Sequence, residues 1–214
     1  MDNTLMCGHT TGPATVLLAH GAGAGIESPF MQQMAEGLAE QGWLVIRFEF
    51  PYMAQQRISG RKTPPNKAEI LLQCYADQVR ALPAEKPLII GGKSMGGRIA
   101  SLLADELWSQ EKILGCICLG YPFHPLGKPE TLRVEHLHNL QTPSLVIQGE
   151  RDPMGNREEV KNYALSDQLQ FAWMPDGDHS FKPRKRSGHS EAQNLNLAVK
   201  KMHEFLSRLV LPEC

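Results

Sequence analysis

Residues 88–103 read Leu-Ile-Ile-Gly-Gly-Lys-Ser-Met-Gly-Gly-Arg-Ile-Ala-Ser-Leu-Leu, and no other segment says more about the fold. Its first three residues are typical of the end of a buried strand, and the apolar residues from Ile99 onward have helical spacing. A strand that turns abruptly into a helix strains the central residue and crowds its neighbours, so glycines are needed on both sides. The sequence therefore predicts a sharp strand–turn–helix with Ser94 at its apex, between Gly92 and Gly96.

The same stretch also resembles the end of a phosphate-binding loop, because Lys93 and Ser94 follow Gly92. The full G-x-x-x-x-G-K-S pattern requires a first glycine at the position of Pro87, and its loop would overlap the apolar residues of the strand. A phosphate cradle is therefore not predicted. Ser94 is instead expected at a helix N-terminus, where backbone N–H groups stabilise negative charge.

Length and charge limit the class of protein. A chain of 214 residues is a usual size for one α/β domain, so residues 1–214 are predicted to form a single domain. The formal net charge of −1 gives no overall field that would favour nucleic acid or an anionic membrane surface. The first residues lack the basic segment of a signal peptide, and no apolar run is long enough to cross a bilayer, so we expect a cytoplasmic protein.

The five cysteines are an odd number and include no C-x-x-C pair. They are predicted to be reduced thiols, either buried or incidental. The cysteines are Cys7, Cys74, Cys116, Cys118 and Cys214.

Short apolar runs alternate along the chain with segments of helical spacing. Strands are predicted at 15–19, 43–48, 88–90, 113–119, 144–148 and 169–174, and helices near 29–41, 66–82, 99–103, 156–164 and 195–209. This alternation predicts an α/β fold, a three-layer, doubly wound, mostly parallel sheet of about six or seven strands with helices on both faces. Residues 49–65 are expected to form a long irregular loop. Asn66 and Glu69 are predicted to form a capping box for the helix that follows, and Ser28 to cap the first helix.

Functional groups of a parallel sheet collect beyond the carboxyl ends of its strands. A serine hydroxyl is a weak nucleophile that needs a base with a pKa near neutrality, and histidine is the natural choice. His179 follows the last predicted strand and is therefore the candidate base for Ser94. Asp152 follows the strand at 144–148 and is the favoured carboxylate to orient His179. Three other acids stay open as alternatives, namely Glu150, Asp176 and Asp178.

Acyl transfer also requires N–H donors aimed at the developing oxyanion. The backbone N–H of Met95, directly after Ser94, is one candidate, and the N–H of Ala22 in the glycine-rich loop after His20 is the other. The loop does not fit a dinucleotide-binding turn, because Ile26 stands where G-x-G-x-x-G requires its last glycine.

With these motifs in this order, the chain resembles the α/β-hydrolase superfamily over nearly its whole length. The resemblance implies an oxyanion loop at His20-Gly21 and a nucleophile elbow at 92–96. The segments Arg-Phe-Glu-Phe-Pro-Tyr at 47–52 and Asp-His-Ser-Phe-Lys at 178–182 resemble a small lidless group related to testis-expressed hydrolase-like proteins and a chromatin-complex subunit. Dienelactone-hydrolase-like enzymes are similar in being small and lidless, although they commonly carry cysteine where Ser94 stands. Relative to the full family pattern, the first strands are expected to be shortened or lost.

The resemblance implies a serine hydrolase that cleaves an ester or related acyl bond through a triad of Ser94, His179 and Asp152 and an acyl-enzyme, with no cofactor. A catalytically silent protein-interaction domain on the same fold is the alternative. Neither reading predicts an oligomeric state.

The expected partner is a small acyl substrate rather than a nucleic acid or a membrane. Residues predicted to bind it are His20, Gly21, Lys93 and Tyr121. The basic run at 182–186, together with Lys93 and Arg98, is interpreted first as a solvated basic loop, and attraction of an anionic substrate is the sharper alternative hypothesis. His136 and His138 lack further ligands at suitable spacing, so no metal site is predicted.

Overall fold

The computed structural model describes residues 3–211 of the chain, and its centre is one sheet of seven strands. The strand order is β1-β3-β2-β4-β5-β6-β7; β1 runs antiparallel to β3, and all other neighbouring strands are parallel. The strands are β1 (Thr4–Cys7), β2 (Thr15–Ala19), β3 (Leu44–Phe48), β4 (Leu88–Lys93), β5 (Gly115–Leu119), β6 (Ser144–Gly149) and β7 (Leu169–Met174). The predicted mostly parallel sheet is confirmed, whereas the four-residue antiparallel strand β1 was not among the predicted strands.

Residues 3–211 form six α-helices. They are α1 (Pro29–Glu40), α2 (Pro51–Ser59), α3 (Ala68–Arg80), α4 (Met95–Ser109), α5 (Arg157–Val160) and α6 (Glu191–Val210). One face of the sheet packs against α1 and α6, and the opposite face packs against α3 and α4. The predicted three-layer arrangement is therefore confirmed.

The strands are apolar along their length because both faces of the sheet are covered. All five residues of β2 are buried, and successive side chains enter opposite layers. Val16 and Leu18 pack toward α1 and α6, whereas Leu17 and Ala19 pack toward α3 and α4. This double burial fixes the carboxyl edge of the sheet, where the candidate site residues lie.

Residues 49–65 are not the irregular loop that the sequence predicted, because α2 occupies most of the segment. Pro51 occupies the first turn, Gly60 ends the helix at a left-handed φ of 67°, and Tyr52 and Met53 are buried. The predicted capping box at Asn66 is also wrong. The Asn66 side chain accepts the backbone N–H of Tyr52 at 2.9 Å, and so links the start of α2 to the approach to α3.

The connection from 120 to 143 contains only a single 3-10 turn, Glu135–Leu137, and no lid domain. Its aromatic residues Tyr121 and Phe123 are fully buried, so the segment packs onto the sheet edge. Within the part of the chain that the structure describes, no helix is both long and apolar enough to cross a bilayer. The four cysteines found there are free thiols, and Cys214 lies outside the described residues.

Candidate active site

Ser94 lies at the turn between β4 and α4 with φ 51° and ψ −113°, a conformation that is strained for a residue with a side chain. Its N–H donates to the carbonyl oxygen of Leu119 at 2.9 Å, which ties the turn to β5. A Cβ atom on Gly92 or on Gly96 would collide with the carbonyl oxygen of Ala19. Close contact with the backbone therefore excludes a side chain at both positions, as the sequence predicted.

His179 lies in the loop after β7 and joins Ser94 to Asp152. Its Nε2 is 2.9 Å from Ser94 Oγ, and its Nδ1 is 2.7 Å from Asp152 Oδ2. The His179 side chain is 25% exposed, whereas Asp152 is fully buried. The histidine can therefore reach both the reacting hydroxyl and a carboxylate that is shielded from water.

The alternative acids have other partners. Glu150 forms an ion pair with Arg157, and Asp176 pairs with Arg184. The Arg184 side chain, which donates hydrogen bonds to Asp176, lowers the pKa of that carboxyl to about 2. Asp178 accepts the backbone N–H groups of residues 180 and 182. Of the four acids that the sequence left open, only Asp152 contacts the His179 ring.

Gln148 is a site residue that the sequence analysis missed. It is fully buried at the end of β6, and the two hydrogens of its Nε2 are shared among three acceptors: Asp152 Oδ2 at 2.9 Å and the carbonyl oxygens of Tyr121 and Gly155 at 3.0 and 3.1 Å. Its Oε1 accepts the N–H of Tyr121 at 2.7 Å. Asp152 Oδ1 in turn accepts the N–H of Met154 at 2.8 Å. The available signal was a polar residue near the end of an apolar strand, four residues before Asp152 in the turn.

Both proposed oxyanion donors lie beside Ser94. Met95 is the first residue of α4, and Ala22 belongs to the loop after β2. Within residues 3–211, neither N–H has a hydrogen-bond acceptor. Tyr52 supports the loop, since its hydroxyl donates to the carbonyl oxygens of Gly21 and Ala22 at 3.2 and 3.1 Å.

Two residues that were expected to bind substrate are instead structural. His20 is fully buried; its Nε2 accepts the N–H of Phe50 at 3.0 Å, and its Nδ1 lies 2.7 Å from the carbonyl oxygen of Gly21. Burial lowers the pKa of His20. Tyr121 is also fully buried, and its hydroxyl donates to the carbonyl oxygen of Arg133 at 2.7 Å. The substrate-contact predictions for His20 and Tyr121 are therefore wrong, because neither side chain reaches a free surface.

Lys93 is nearly buried beneath the His179 loop. Its ammonium donates to the backbone carbonyl oxygen of His179 and lies 5.2 Å from the ring centre of Phe30. Burial lowers the pKa of Lys93 to about 8, although the negative charges of Asp152 and Asp178 act in the opposite direction. Lys93 thus holds the loop that carries the candidate base.

Two clefts meet at Ser94 and share Ala22 and Met154 as lining residues. The first, of about 380 Å³, we call the His179 cleft; its other walls include Gly21, Phe30, Lys93, His179 and Ser180. The second, of about 410 Å³, we call the arginine cleft; its other walls include Leu71, Met95, Arg98, Ile99, Leu126 and Arg133. A substrate whose carbonyl group lies at Ser94 would therefore place one part in each cleft.

A family model described as an alpha/beta hydrolase domain matches residues 12–207. A lidless alpha/beta serine hydrolase from Xanthomonas campestris has 20% sequence identity and a TM-score of 0.68, over 99% of this chain and 90% of that one. A dienelactone hydrolase from Anabaena variabilis has 20% identity and a TM-score of 0.71, over 97% and 91%.

A third similar structure is Est1E from Butyrivibrio proteoclasticus, with 16% identity and a TM-score of 0.68 over 97% of this chain and 93% of that one. At such identities the structural likeness concerns the fold, whereas the family match covers most of the sequence. The narrower resemblance to testis-expressed hydrolase-like proteins stays a prediction. The chain belongs to the alpha/beta hydrolase family.

Proposed function

We propose that this protein is a serine hydrolase that cleaves an ester or a related acyl bond. Ser94 is the nucleophile, His179 the general base and acid, and Asp152 the carboxylate that orients His179. One observation carries the proposal: hydrogen bonds of 2.7 and 2.9 Å run from Asp152 Oδ2 through the His179 ring to Ser94 Oγ. These distances lie within the reach that proton transfer requires.

In the acylation step, the His179 proton on Nδ1 is held by Asp152, so Nε2 is free to accept the proton of Ser94. Ser94 Oγ attacks the carbonyl carbon, and the imidazolium that forms is stabilised by the buried carboxylate. The carbonyl oxygen becomes an oxyanion. We assign the N–H groups of Met95 and Ala22 as its donors, aided by the N-terminus of α4.

The tetrahedral intermediate collapses when His179 returns its proton to the leaving alcohol. Water then attacks the acyl-enzyme, again with His179 as base, and releases the acid and free Ser94. The leaving group must lie near His179 to receive the proton, and His179 lines only one of the two clefts at Ser94. The leaving alcohol therefore occupies the His179 cleft, and the acyl part occupies the arginine cleft.

The test combines covalent labelling with turnover. The wild-type protein should be labelled by a fluorophosphonate probe and should hydrolyse short p-nitrophenyl esters, whereas Ser94→Ala should do neither. Ser109→Ala, which changes an exposed serine at the other end of α4, is the matched control and should behave as wild type.

A folded wild-type protein that neither reacts with the probe nor turns over esters would end the enzymatic proposal and favour the silent interaction domain. Equal labelling of the wild type and of Ser94→Ala would place the nucleophile elsewhere.

A further inference from the structure

Two arginines line the arginine cleft without a counter-ion. Arg98 lies in the first turns of α4, four residues after Ser94, and Arg133 lies in the connection that follows β5. Among the described residues, neither guanidinium has an ion-pair partner or a hydrogen-bond acceptor. The Nε atom of Arg98 is buried and unpartnered. Buried polar groups of this kind are nearly always hydrogen-bonded, so the missing acceptor requires an explanation.

Two neighbouring groups respond to the charge of Arg98. Burial, and then the charge of Arg98, lower the pKa of the Arg133 guanidinium. The neighbouring His136 has its pKa lowered to about 4 by burial and by Arg98, although the charge of Asp105 acts in the opposite direction, so the ring is neutral at pH 7. Two like charges without an acid partner destabilise the unliganded protein. Such an arrangement is expected where a ligand supplies the anion.

Other basic residues near the site either have partners or lie outside the two clefts. Arg184 forms an ion pair with Asp176, Lys182 approaches Glu191 at 3.5 Å, and Lys93 donates to the carbonyl oxygen of His179. Lys185 and Arg186 are exposed and line neither cleft. Attraction of an anion, for which the sequence offered the run at 182–186 with Lys93 and Arg98, is therefore better assigned to Arg98 and Arg133. An arginine fork also matches the two oxygens of a carboxylate, which an ammonium does not.

We infer that Arg98 and Arg133 bind an anionic group on the acyl part of the substrate, so that the preferred substrates are half-esters of short dicarboxylic acids. This inference rests on the proposed function, because it takes the carbonyl carbon to lie at Ser94 and the leaving group at His179.

A short spacer is expected, because Ser94 and Arg98 stand about one helical turn apart at the start of α4. Four residues rise about 6 Å along the helix axis, and the Arg98 side chain adds its own reach. A spacer of about three methylenes is therefore the length to test. The apolar walls that would contact such a spacer are Leu71, Ile99 and Leu126.

The test compares two esters of equal chain length: the p-nitrophenyl half-ester of glutaric acid, which is anionic, and p-nitrophenyl pentanoate, which is neutral. The measured quantity is the ratio of their kcat/KM values, so that a general loss of activity cancels. The rate with Ser94→Ala is subtracted because the half-ester can cleave itself. The wild type should prefer the half-ester. Arg133→Gln and Arg98→Gln should each lower the ratio by about 10- to 100-fold, the loss expected for a charge-assisted hydrogen bond.

Two control variants sharpen the comparison. Arg80→Gln changes an arginine that is ion-paired on the surface of α3, and should leave the ratio unchanged. The double variant Lys185→Ala, Arg186→Ala changes the exposed basic loop and should also leave it unchanged.

Binding without turnover gives a second readout. Glutarate should raise the unfolding temperature of the Ser94→Ala protein and should have a smaller effect when Arg133→Gln is added.

Three results would overturn the inference while leaving the serine hydrolase intact. The wild type could hydrolyse the neutral ester at least as well as the half-ester, Arg133→Gln could keep the wild-type ratio, or the loop variant could lose the preference in its place. If neither ester is hydrolysed and the probe does not react, the proposed function fails and this inference fails with it.

Discussion

The two sides of Ser94 differ in how completely their polar groups are satisfied. On the His179 side, both oxygens of Asp152 accept hydrogen bonds, and Gln148 uses its amide oxygen and nitrogen. On the arginine side, Arg98 and Arg133 have no acid partner within the described residues. A satisfied network holds reacting groups in one geometry, whereas an uncompensated pair of charges gains its partner only on binding. Under the proposed function, bond cleavage belongs to the His179 side and substrate selection to the arginine side.

The largest effect is expected from Asp152→Asn, which changes the His179 side and leaves the arginine side intact. An asparagine keeps the volume but removes the charge that holds His179 in the required tautomer, so kcat should fall by about 10³- to 10⁴-fold. The fall should be equal for the anionic and neutral esters, because the arginine side is unchanged. Steady-state kinetics with both esters measures it. Glu150→Gln is the matched control, since Glu150 does not contact the His179 ring. Wild-type kcat in Asp152→Asn would remove this carboxylate from the mechanism.

A smaller effect is expected from Gln148→Leu. This change removes the amide donor to Asp152 and leaves buried backbone groups of Tyr121 and Gly155 without a partner, which should cost about 2–4 kcal/mol of unfolding free energy. The value of kcat should fall by about tenfold, because Asp152 still has the N–H of Met154 and the His179 ring.

Gln148→Glu separates positioning from mere packing. It keeps the shape but sets a second carboxylate against Asp152, so its activity should depend on pH differently from that of Gln148→Leu. Urea unfolding and pH–rate profiles of both variants test the role. If kcat and its pH profile stayed at wild-type values in Gln148→Glu, Gln148 would have no part in orienting Asp152.

Lys93 tests whether burying a charged group on the His179 side lowers the free energy of unfolding. Its pKa is about 8 in the folded protein, because of burial, and about 10.4 when unfolded. Between those values the unfolded chain binds more protons, so the free energy of unfolding should rise as pH increases through that interval, by up to roughly 3 kcal/mol. Below pH 8 both states carry the proton and the gain is absent.

Lys93→Met keeps most of the apolar stem and should abolish this rise. The measurement is the difference between the wild type and the variant in urea unfolding at pH 7 and pH 10, which cancels the groups that both proteins share. Identical pH dependence in the two proteins would show that Lys93 titrates as an exposed lysine.

The parts of the site that follow from local sterics could be read from the sequence. Gly92 and Gly96 identify the turn, because any side chain at either position meets the backbone of β2. The order of Ser94, Asp152 and His179 indicated their convergence, since parallel strands end at one edge of the sheet.

Side-chain direction, by contrast, is set by packing between distant segments. His20 and Tyr121 stand next to the candidate site in sequence, yet both turn inward to backbone groups of other loops. Helix α2 was missed because its buried residues, Tyr52 to Ala54, are consecutive and show no helical period. The counter-ions of the charged residues depend on the same long-range packing, so the unpaired state of Arg98 and Arg133 could not be predicted.

The smallest predicted effect concerns His136, the titratable neighbour of the arginine pair. Its pKa is about 4 in the folded protein, through burial and the charge of Arg98, against about 6.5 unfolded. The unfolded chain therefore binds more protons between pH 6.5 and 4, and stability is lost as pH falls through that interval. Because the ring is partly exposed, solvent screening limits the loss to about 1 kcal/mol.

Arg98→Gln should reduce this loss, since removing the nearby charge raises the pKa of His136. NMR titration of the His136 ring follows the pKa directly, and urea unfolding at pH 7 and pH 4.5 follows the free energy. Arg80→Gln, a distant arginine change, should leave both unchanged. An unaltered His136 pKa in Arg98→Gln would mean that burial alone keeps the ring neutral. In that case water would screen the charge of Arg98. The lack of an anion would then destabilise the arginine pair less than its missing partners indicate.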